Sequence, residues 1–235
     1  MAQMQINGSP IKMVFFDAGG TLFDVVEPVG KTYATLAQRF DKKVEPEVLQ
    51  RNFLTAFKRM PPLAFAGNLS QKDLSSSEYQ WWRRLVSEVF VASGEFRYFE
   101  EFFAEAYAHY AHTKAWKLFD DVLPTLEVLQ SQSIKIGVIS NFDSRLMGLL
   151  EGFGVKKYFN SIHFSSRVGF AKPHPKIFQA ALRDNEIIAS AAVHIGDNPV
   201  QDVQAATNAG LSAWLIKRHR KECGLSSFLE SLGVS

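Results

Sequence analysis

The 235-residue chain has 46% apolar and 21% charged residues, as globular proteins do. Its net charge of +2 provides no broad positive field for nucleic acid or an anionic membrane, so we expect neither as a partner. A single cysteine, Cys223, rules out an internal disulfide. No apolar run approaches the roughly 18 residues of a membrane helix. Residues 1–10 lack an export signal, which predicts a cytoplasmic location unless an organellar transit peptide has been removed.

The first predicted element is a short strand that ends on a carboxylate. Met13 to Phe16 form an apolar run with the length and composition of a buried strand. Asp17 follows at its carboxyl end, where open α/β sheets bind their ligands. Gly19 and Gly20 then allow a sharp turn and a close approach to a ligand. An ordinary Asp-Gly turn has the same residues, so this stretch alone does not indicate a function.

A helical segment follows over residues 25–116, where the apolar period changes from that of strands to that of helices. Its many aromatic side chains are assigned to the core of a small bundle. We predict helices from Pro28 toward Phe40, from Pro46 to Met60, from a capping box at Ser75-x-x-Glu78 onward, and from Tyr98 to Thr113.

Strands and helices alternate from Leu118 onward, which predicts a parallel sheet with right-handed crossovers. The predicted strands are 134–139, 161–165, 193–195 and 212–216. The first predicted helix is begun by Asp120-Asp121 and Pro124 and ends near Gln132, and the others are 144–153, 175–183 and 199–208. The fold class is therefore α/β, with the sheet interrupted by the helical segment.

Three further motifs follow the first along the chain. Ser140-Asn141 ends the second strand, Lys172 precedes Pro-His-Pro, and Gly196-Asp197 ends a later strand with Asp202 beyond it. In this order, the four motifs resemble those of the haloacid dehalogenase superfamily of hydrolases. The resemblance implies a Rossmann-like core formed by residues 1–24 and 117–235. It also implies a helical cap over 25–116 that covers the site and helps to select the substrate.

The resemblance implies a role for each residue that matches a motif. Asp17 would be the nucleophile that forms an aspartyl-phosphate, and the Thr21 hydroxyl would lie close to it and orient the loop. Ser140 and the backbone of Asn141 would donate hydrogen bonds to the phosphoryl oxygens. Lys172 would bind the phosphoryl group and neutralise both its charge and that of Asp17.

A magnesium ion is also implied, because Asp17 and a phosphate are both anionic and would otherwise repel each other. The implied ligands are the carboxylates of Asp17, Asp197 and Asp202 and the backbone carbonyl of Gly19. The implied partner is a small phosphorylated molecule. The sequence gives no indication of the oligomeric state.

Gly19 departs from the pattern of the family's phosphatases. Those members carry a second aspartate at this position, which protonates the leaving alkoxide and then activates water. Glycine cannot transfer a proton, and general acid–base catalysis is worth about 10²–10⁴-fold. Asp24, Asp143 and His174 lie nearest in sequence, but a turn cap, a helix cap and a surface loop are their more ordinary interpretations.

Three functions stay open on this sequence. The first is a magnesium-dependent phosphatase that is slow because substrate, water or cap must replace the missing acid. The second is a protein that binds a phosphorylated ligand or regulates through it without turnover. The third is a 2-haloacid dehalogenase, a class that lacks the second aspartate because halide leaves without a proton. Dehalogenases need no metal, so the motif containing Asp197 and Asp202 counts against the third.

Other polar features have ordinary interpretations. His194 alternates within a buried strand and is expected to be a core residue with a hydrogen-bonded ring. His109 and His112 are assigned to exposed helix positions, since no third metal ligand accompanies them. The basic run Lys217–Lys221 is expected to be a solvated loop rather than a signal for nucleic acid or the nucleus.

Overall fold

The computed structural model describes residues 5–6, 9–218 and 224–233. Its strands are β1 Gln5–Ile6, β2 Ser9–Pro10, β3 Met13–Phe16, β4 Phe23–Val25, β5 Trp116–Leu118, β6 Lys135–Ser140, β7 Ser161–Phe164, β8 Ala192–Gly196 and β9 Ser212–Leu215. Its α-helices are α1 Val29–Gln38, α2 Pro46–Arg59, α3 Gln71–Phe90, α4 Phe99–His109, α5 Val122–Ser131, α6 Arg145–Gly152, α7 Ser165–Val168, α8 Pro175–Asp184, α9 Ala205–Asn208 and α10 Leu225–Ser231. A π-helix, Pro199–Gln204, directly precedes α9.

The main sheet has five strands in the order β7-β6-β3-β8-β9, and every neighbouring pair is parallel. Strand β3 lies in the centre, and all four of its side chains are fully buried. Helices alternate with the strands from α5 onward, as the right-handed crossover of parallel strands requires. The predicted α/β class with a parallel sheet is confirmed.

The chain divides into two compact units. One contains residues 1–24, 64–68 and 118–235, and the other contains 25–63 and 69–117. Residues 64–68 interrupt the second unit in sequence but group with the sheet. The two short strands β4 and β5 form a separate two-stranded sheet.

The second unit is a helical bundle with an aromatic core. Tyr33 and Phe102 meet edge to face, with ring centroids 5.9 Å apart, and Phe90 packs 5.0 Å from Phe102. Helices α1 and α2 approach closely at Gly30, where a Cβ atom would lie 2.3 Å from the carbonyl oxygen of Pro46. Edge-to-face contacts of this kind add to the stabilisation that burial of the rings provides.

Three predicted helices differ from those observed, and one of them, predicted to reach Thr113, ends at His109 as α4. The predicted capping box at Ser75 is wrong, because α3 begins at Gln71 and the hydroxyl of Ser70 accepts a hydrogen bond from the amide of Asp73. Ser75 and the buried Glu78 lie within that helix. The predicted helix 199–208 instead begins as a π-helix and becomes α-helical only from Ala205. Within the described ranges, no helix is long and apolar enough to cross a membrane.

The basic run is only partly described. Lys217 is half-buried, whereas residues 219–221 and Cys223 lie outside the described residues. The expectation of a solvated loop is wrong for Arg218, whose side chain is only 15% exposed because it pairs with Asp121.

Candidate active site

The ends of three adjacent strands bring the motifs together. In the sheet, Phe16 of β3 pairs with Val138 of β6 on one side and with Ile195 of β8 on the other. Because these strands are parallel, their carboxyl ends share one edge of the sheet. Ser140 is the last residue of β6, and Asp17 and Asp197 directly follow β3 and β8. All three residues therefore lie at the same edge of the sheet.

Lys172 lies between two of the predicted acidic residues. Its Nζ atom is 2.6 Å from Oδ1 of Asp17 and 2.5 Å from Oδ1 of Asp202. All three residues are buried. An ammonium group buried in this way is tolerated because both neighbouring carboxylates compensate its charge and accept its hydrogen bonds.

The carboxylate of Asp202 is held from several sides. Its Oδ1 atom lies 3.0 Å from Nε2 of His194, and its Oδ2 atom accepts a hydrogen bond from the amide of Asn198 at 2.9 Å. A Cβ atom on Gly196 would lie 2.2 Å from Cγ of Asp202, so only glycine fits there. The wide π-helical turn carries Asp202 to this place, and π-helical turns occur frequently at functional sites.

His194 is the buried residue with a hydrogen-bonded ring that the sequence predicted, and its partner is Asp202 of this cluster. The ring is fully buried and hydrogen-bonded through Nε2, whereas Nδ1 has no partner among the described atoms. The relevant signal is the two-residue period of a strand, which places His194 on the same face as Gly196. Gly196 is the residue that Asp202 packs against.

The side chain of Asn141 braces the Lys172 loop. Its Oδ1 accepts a hydrogen bond from the Lys172 amide at 2.7 Å, and its Nδ2 donates to the Lys172 carbonyl at 2.9 Å. The same Nδ2 atom donates to Oε1 of Gln201 at 3.3 Å. The resemblance implied a role only for the backbone of Asn141, and the contact with Gln201, 60 residues away, has no local sequence signal.

Burial and charge shift the pKa values of the cluster in different directions. Burial raises the pKa of Asp17, and nearby Asp202 adds to this effect, which together outweigh the attraction of Lys172. Burial also raises the pKa of Asp197. Burial alone would raise the pKa of Asp202, but Lys172 and His194 hold it below its usual range. Burial alone would lower the pKa of Lys172, but the charges of Asp17 and Asp202 raise it.

The acidic residues fit a divalent cation. One carboxylate oxygen from each of Asp17, Asp197 and Asp202 lies within 4.8 Å of the others. These three carboxylates face one ammonium group, which leaves two negative charges to be balanced. Carboxylate oxygens are the ligands that magnesium prefers. Asp197 is exposed, and its Oδ2 would be 2.7 Å from a Cβ atom on Gly20, so the glycine turn lies directly against it.

The three remaining predicted residues at this edge differ in burial. Ser140 is buried at the end of β6. Thr21 is buried too, and its hydroxyl has no hydrogen-bond partner among the described residues. Gly19 is half-buried, and a Cβ atom there would meet no other atom within 4 Å. A side chain at position 19 would therefore find space.

The sequence neighbours considered as proton donors have other contacts or are exposed. Asp143 is fully buried and forms an ion pair with Arg145, with Oδ2 2.6 Å from Nη2. It also accepts a hydrogen bond from the Arg145 amide at the start of α6, which agrees with a cap. His174 is exposed and caps α8 through Nδ1, and Asp24 is exposed.

Comparison with known proteins identifies the family. Residues 11–210 match the family described as haloacid dehalogenase-like hydrolase. The human haloacid dehalogenase-like hydrolase domain-containing protein 3 is 31% identical over 208 residues, which are 88% of this chain and 82% of that protein. The name of that relative specifies a hydrolase domain but no substrate.

Solved structures show the same fold. A HAD phosphatase from Thermococcus onnurineus superposes with a TM-score of 0.65 at 22% identity, over 95% of this chain and 98% of that one. A 2-haloacid dehalogenase from Pseudomonas syringae pv. Tomato superposes with a TM-score of 0.64 at 24% identity and the same coverage. The predicted Rossmann-like core with a cap is thereby confirmed as the fold. The chain belongs to the haloacid dehalogenase-like hydrolase family.

Proposed function

We propose that the protein is a magnesium-dependent phosphohydrolase that acts on a small phosphorylated molecule through an aspartyl-phosphate on Asp17. The observation that carries this proposal is the convergence of Asp17, Lys172, Asp197 and Asp202 at one edge of the sheet. Such a cluster can hold an anionic nucleophile and an anionic substrate side by side.

Asp17 acts as the nucleophile in this proposal. Its carboxylate attacks phosphorus, the bond to the leaving oxygen breaks, and water later cleaves the aspartyl-phosphate to release inorganic phosphate. Lys172 keeps Asp17 oriented through the 2.6 Å contact and offsets the charge of the transferring group. The Ser140 hydroxyl and the backbone amide of Asn141 would donate hydrogen bonds to the phosphoryl oxygens.

Asp17, Asp197, Asp202 and the Gly19 carbonyl would hold magnesium, with Asp202 already engaged by Lys172. When bound, the ion supplies positive charge that screens the nucleophile from the phosphate and stabilises charge in the transition state. A dehalogenase needs no metal, so it would not use Asp197 and Asp202 as metal ligands. This difference favours a phosphohydrolase over a 2-haloacid dehalogenase, the other kind of enzyme among the structural neighbours.

Gly19 determines which leaving groups are favoured. No side chain at this position can protonate a departing alkoxide, and Asp143 and His174 have the other contacts described above. Substrates whose leaving group is already a stable anion, such as aryl phosphates, avoid this requirement. Alkyl phosphates should react about 10²–10⁴-fold more slowly than in an enzyme with the acid present.

The test measures phosphate release from an aryl phosphate with magnesium and with a chelator. The wild type should turn over slowly, and the chelator and Asp17→Asn should each abolish activity. Gly19→Asp should accelerate turnover, most of all on alkyl phosphates, because open space surrounds position 19. Asp120→Asn, at an exposed aspartate outside the cluster, is the matched control and should behave as wild type.

Two results would redirect the proposal. Turnover only in Gly19→Asp would support a protein that binds a phosphorylated ligand without hydrolysing it. Chloride release from a 2-chloro acid, unaffected by the chelator, would support a dehalogenase.

A further inference from the structure

Arg218 lies in the basic run that the proposed function does not use. Its guanidinium carbon is 4.1 Å from the centroid of the Phe119 ring, and its Nη1 donates to both carboxylate oxygens of Asp121, at 2.7 and 2.8 Å. Its Nη2 donates to the backbone carbonyl of Thr21. One side chain near the end of the described chain thus reaches the turn directly after Asp17.

That turn is supported from two directions. Within it, the Ala18 carbonyl accepts a hydrogen bond from the Leu22 amide at 2.7 Å. The Thr21 carbonyl is bound by Arg218, and the next carbonyl, of Leu22, accepts a hydrogen bond from the Phe119 amide at 3.0 Å. Arg218 and Phe119, whose ring the guanidinium covers, therefore bind two successive carbonyls of the turn.

We propose that Arg218 is a positioning residue for the reaction, which rests on the function proposed above. It fixes the Thr21 carbonyl and thereby holds the turn 18–23 in place beside Asp17. The turn carries Gly19, whose carbonyl would bind magnesium, and Gly20, which lies against Asp197. A shift of the turn would displace both, although Arg218 touches none of the reacting atoms.

The chemistry of arginine suits this task better than that of lysine. The planar guanidinium places one nitrogen on Asp121 and another on Thr21 while its face covers the Phe119 ring. A lysine ammonium is a single point charge on a flexible stem and cannot make these contacts together. Asp121 in turn accepts a hydrogen bond from the Leu225 amide at 3.0 Å, so it is fixed at the start of α10.

The competing explanation is that Arg218 only fastens the C-terminal segment through Asp121. In that case, replacing it would loosen α10 and lower global stability without altering the turn or the chemistry. The two explanations differ in what happens at residues 18–23. Amide exchange reports local opening of a segment separately from global unfolding.

The experiment compares Arg218→Met and Arg218→Lys with Arg183→Met, a control whose side chain is 74% exposed. Hydrogen exchange is followed at the amides of residues 18–23, with β6 as an internal reference for global opening. We expect exchange at least about tenfold faster in the turn and unchanged in β6 for both Arg218 variants. With an aryl phosphate, kcat should fall about tenfold or more at nearly constant KM, and added guanidinium should restore part of it to Arg218→Met.

Unchanged exchange in the turn overturns the inference, and so does faster exchange with wild-type kcat. A wild type without turnover contradicts the proposed function instead. In that event the turn's exchange still decides whether Arg218 positions Thr21, so the two failures are distinguishable.

Discussion

At the scale of single residues, the cluster contains two aspartates whose pKa values shift in opposite directions. Asp17 has a raised pKa because burial and the charge of Asp202 disfavour its ionised form. Burial acts in the same direction on Asp202, but Lys172 and His194 reverse the effect and lower its pKa. The ionised form of Asp17 thus opposes folding at neutral pH, whereas that of Asp202 supports it.

Isosteric amides should therefore change stability in opposite directions when a chelator is present. Asp17→Asn removes a charge that burial disfavours, while Lys172 keeps its ion pair with Asp202, and it should raise the free energy of unfolding at neutral pH by about 1 kcal/mol. Asp202→Asn leaves Lys172 with only Asp17, whose ionised form burial disfavours, and should lower the free energy of unfolding by about 3 kcal/mol. Urea unfolding of the two variants and of Asp120→Asn measures both. Changes of the same sign in the two variants would contradict the account.

The pH dependence follows from the same shifts. A raised folded-state pKa means that the contribution of Asp17 to stability is present in acid and is lost as the pH rises above its ordinary value of 3.8 through the raised value. Wild type and Asp17→Asn should therefore be equally stable in acid and diverge toward neutrality. The contribution of Asp202 has the opposite dependence. Because its pKa is lowered, this contribution is present at neutral pH and is lost as the pH falls below the ordinary value of 3.8. Unfolding curves over this range check both directions.

At the scale of elements, the π-helix Pro199–Gln204 carries Asp202 and is fixed at its start by Asn198. The Asn198 side chain accepts hydrogen bonds from the amides of Val200 and Gln201, both at 3.0 Å. Loss of such a cap typically costs about 1 kcal/mol. Here the cap also fixes the start of the helix that carries Asp202, a candidate site residue, so its removal should affect activity as well as stability.

Asn198→Ala and Ser70→Ala separate these two effects. Ser70 caps α3 in the helical unit with a comparable side-chain hydrogen bond. Both variants should lose about 1 kcal/mol of stability, but only Asn198→Ala should also lose about tenfold or more in kcat/KM. Thermal unfolding and aryl phosphate turnover provide the two measurements. Equal turnover in both variants would show that the cap does not position Asp202.

The sequence indicated those parts of the site that depend on local pattern. Asp17, Ser140 and Asp197 each end or follow an apolar run, and parallel strands bring such ends to one edge. The contacts of Asn141 with the Lys172 loop and of Arg218 with Thr21 could not be predicted, because they join residues 31 and 197 positions apart. The start of α3 was misplaced because Ser70-x-x-Asp73 and Ser75-x-x-Glu78 have nearly the same pattern, and the burial of Glu78 within α3 has no local sequence signal.

At the scale of the whole molecule, every implied metal ligand belongs to the unit that contains the sheet. A ligand that binds only the folded state stabilises it, by about 2.7 kcal/mol at a concentration 100 times its Kd. Magnesium should therefore slow amide exchange in β3 and β8. The helical unit has its own aromatic core around Tyr33 and Phe102 and provides none of these ligands.

Magnesium titration of wild type, Asp197→Asn and Asp120→Asn tests this linkage. Wild type and Asp120→Asn should gain stability in the sheet unit, and Asp197→Asn should lose most of that gain because an exposed ligand oxygen is removed. Exchange in α2 and α4 should stay unchanged in all three. Equal magnesium stabilisation of Asp197→Asn would exclude Asp197 as a ligand.

The covalent step proposed for Asp17 has a direct test. Without an acid–base group at position 19, hydrolysis of the aspartyl-phosphate should be slow enough for the intermediate to accumulate. Wild type mixed with an aryl phosphate and magnesium, quenched in acid and digested, should yield a peptide containing Asp17 with the added mass of one phosphoryl group. Asp17→Asn should yield none. Turnover of the aryl phosphate by wild type with no such adduct, or an adduct that persists in Asp17→Asn, would contradict the assignment of Asp17 as the nucleophile.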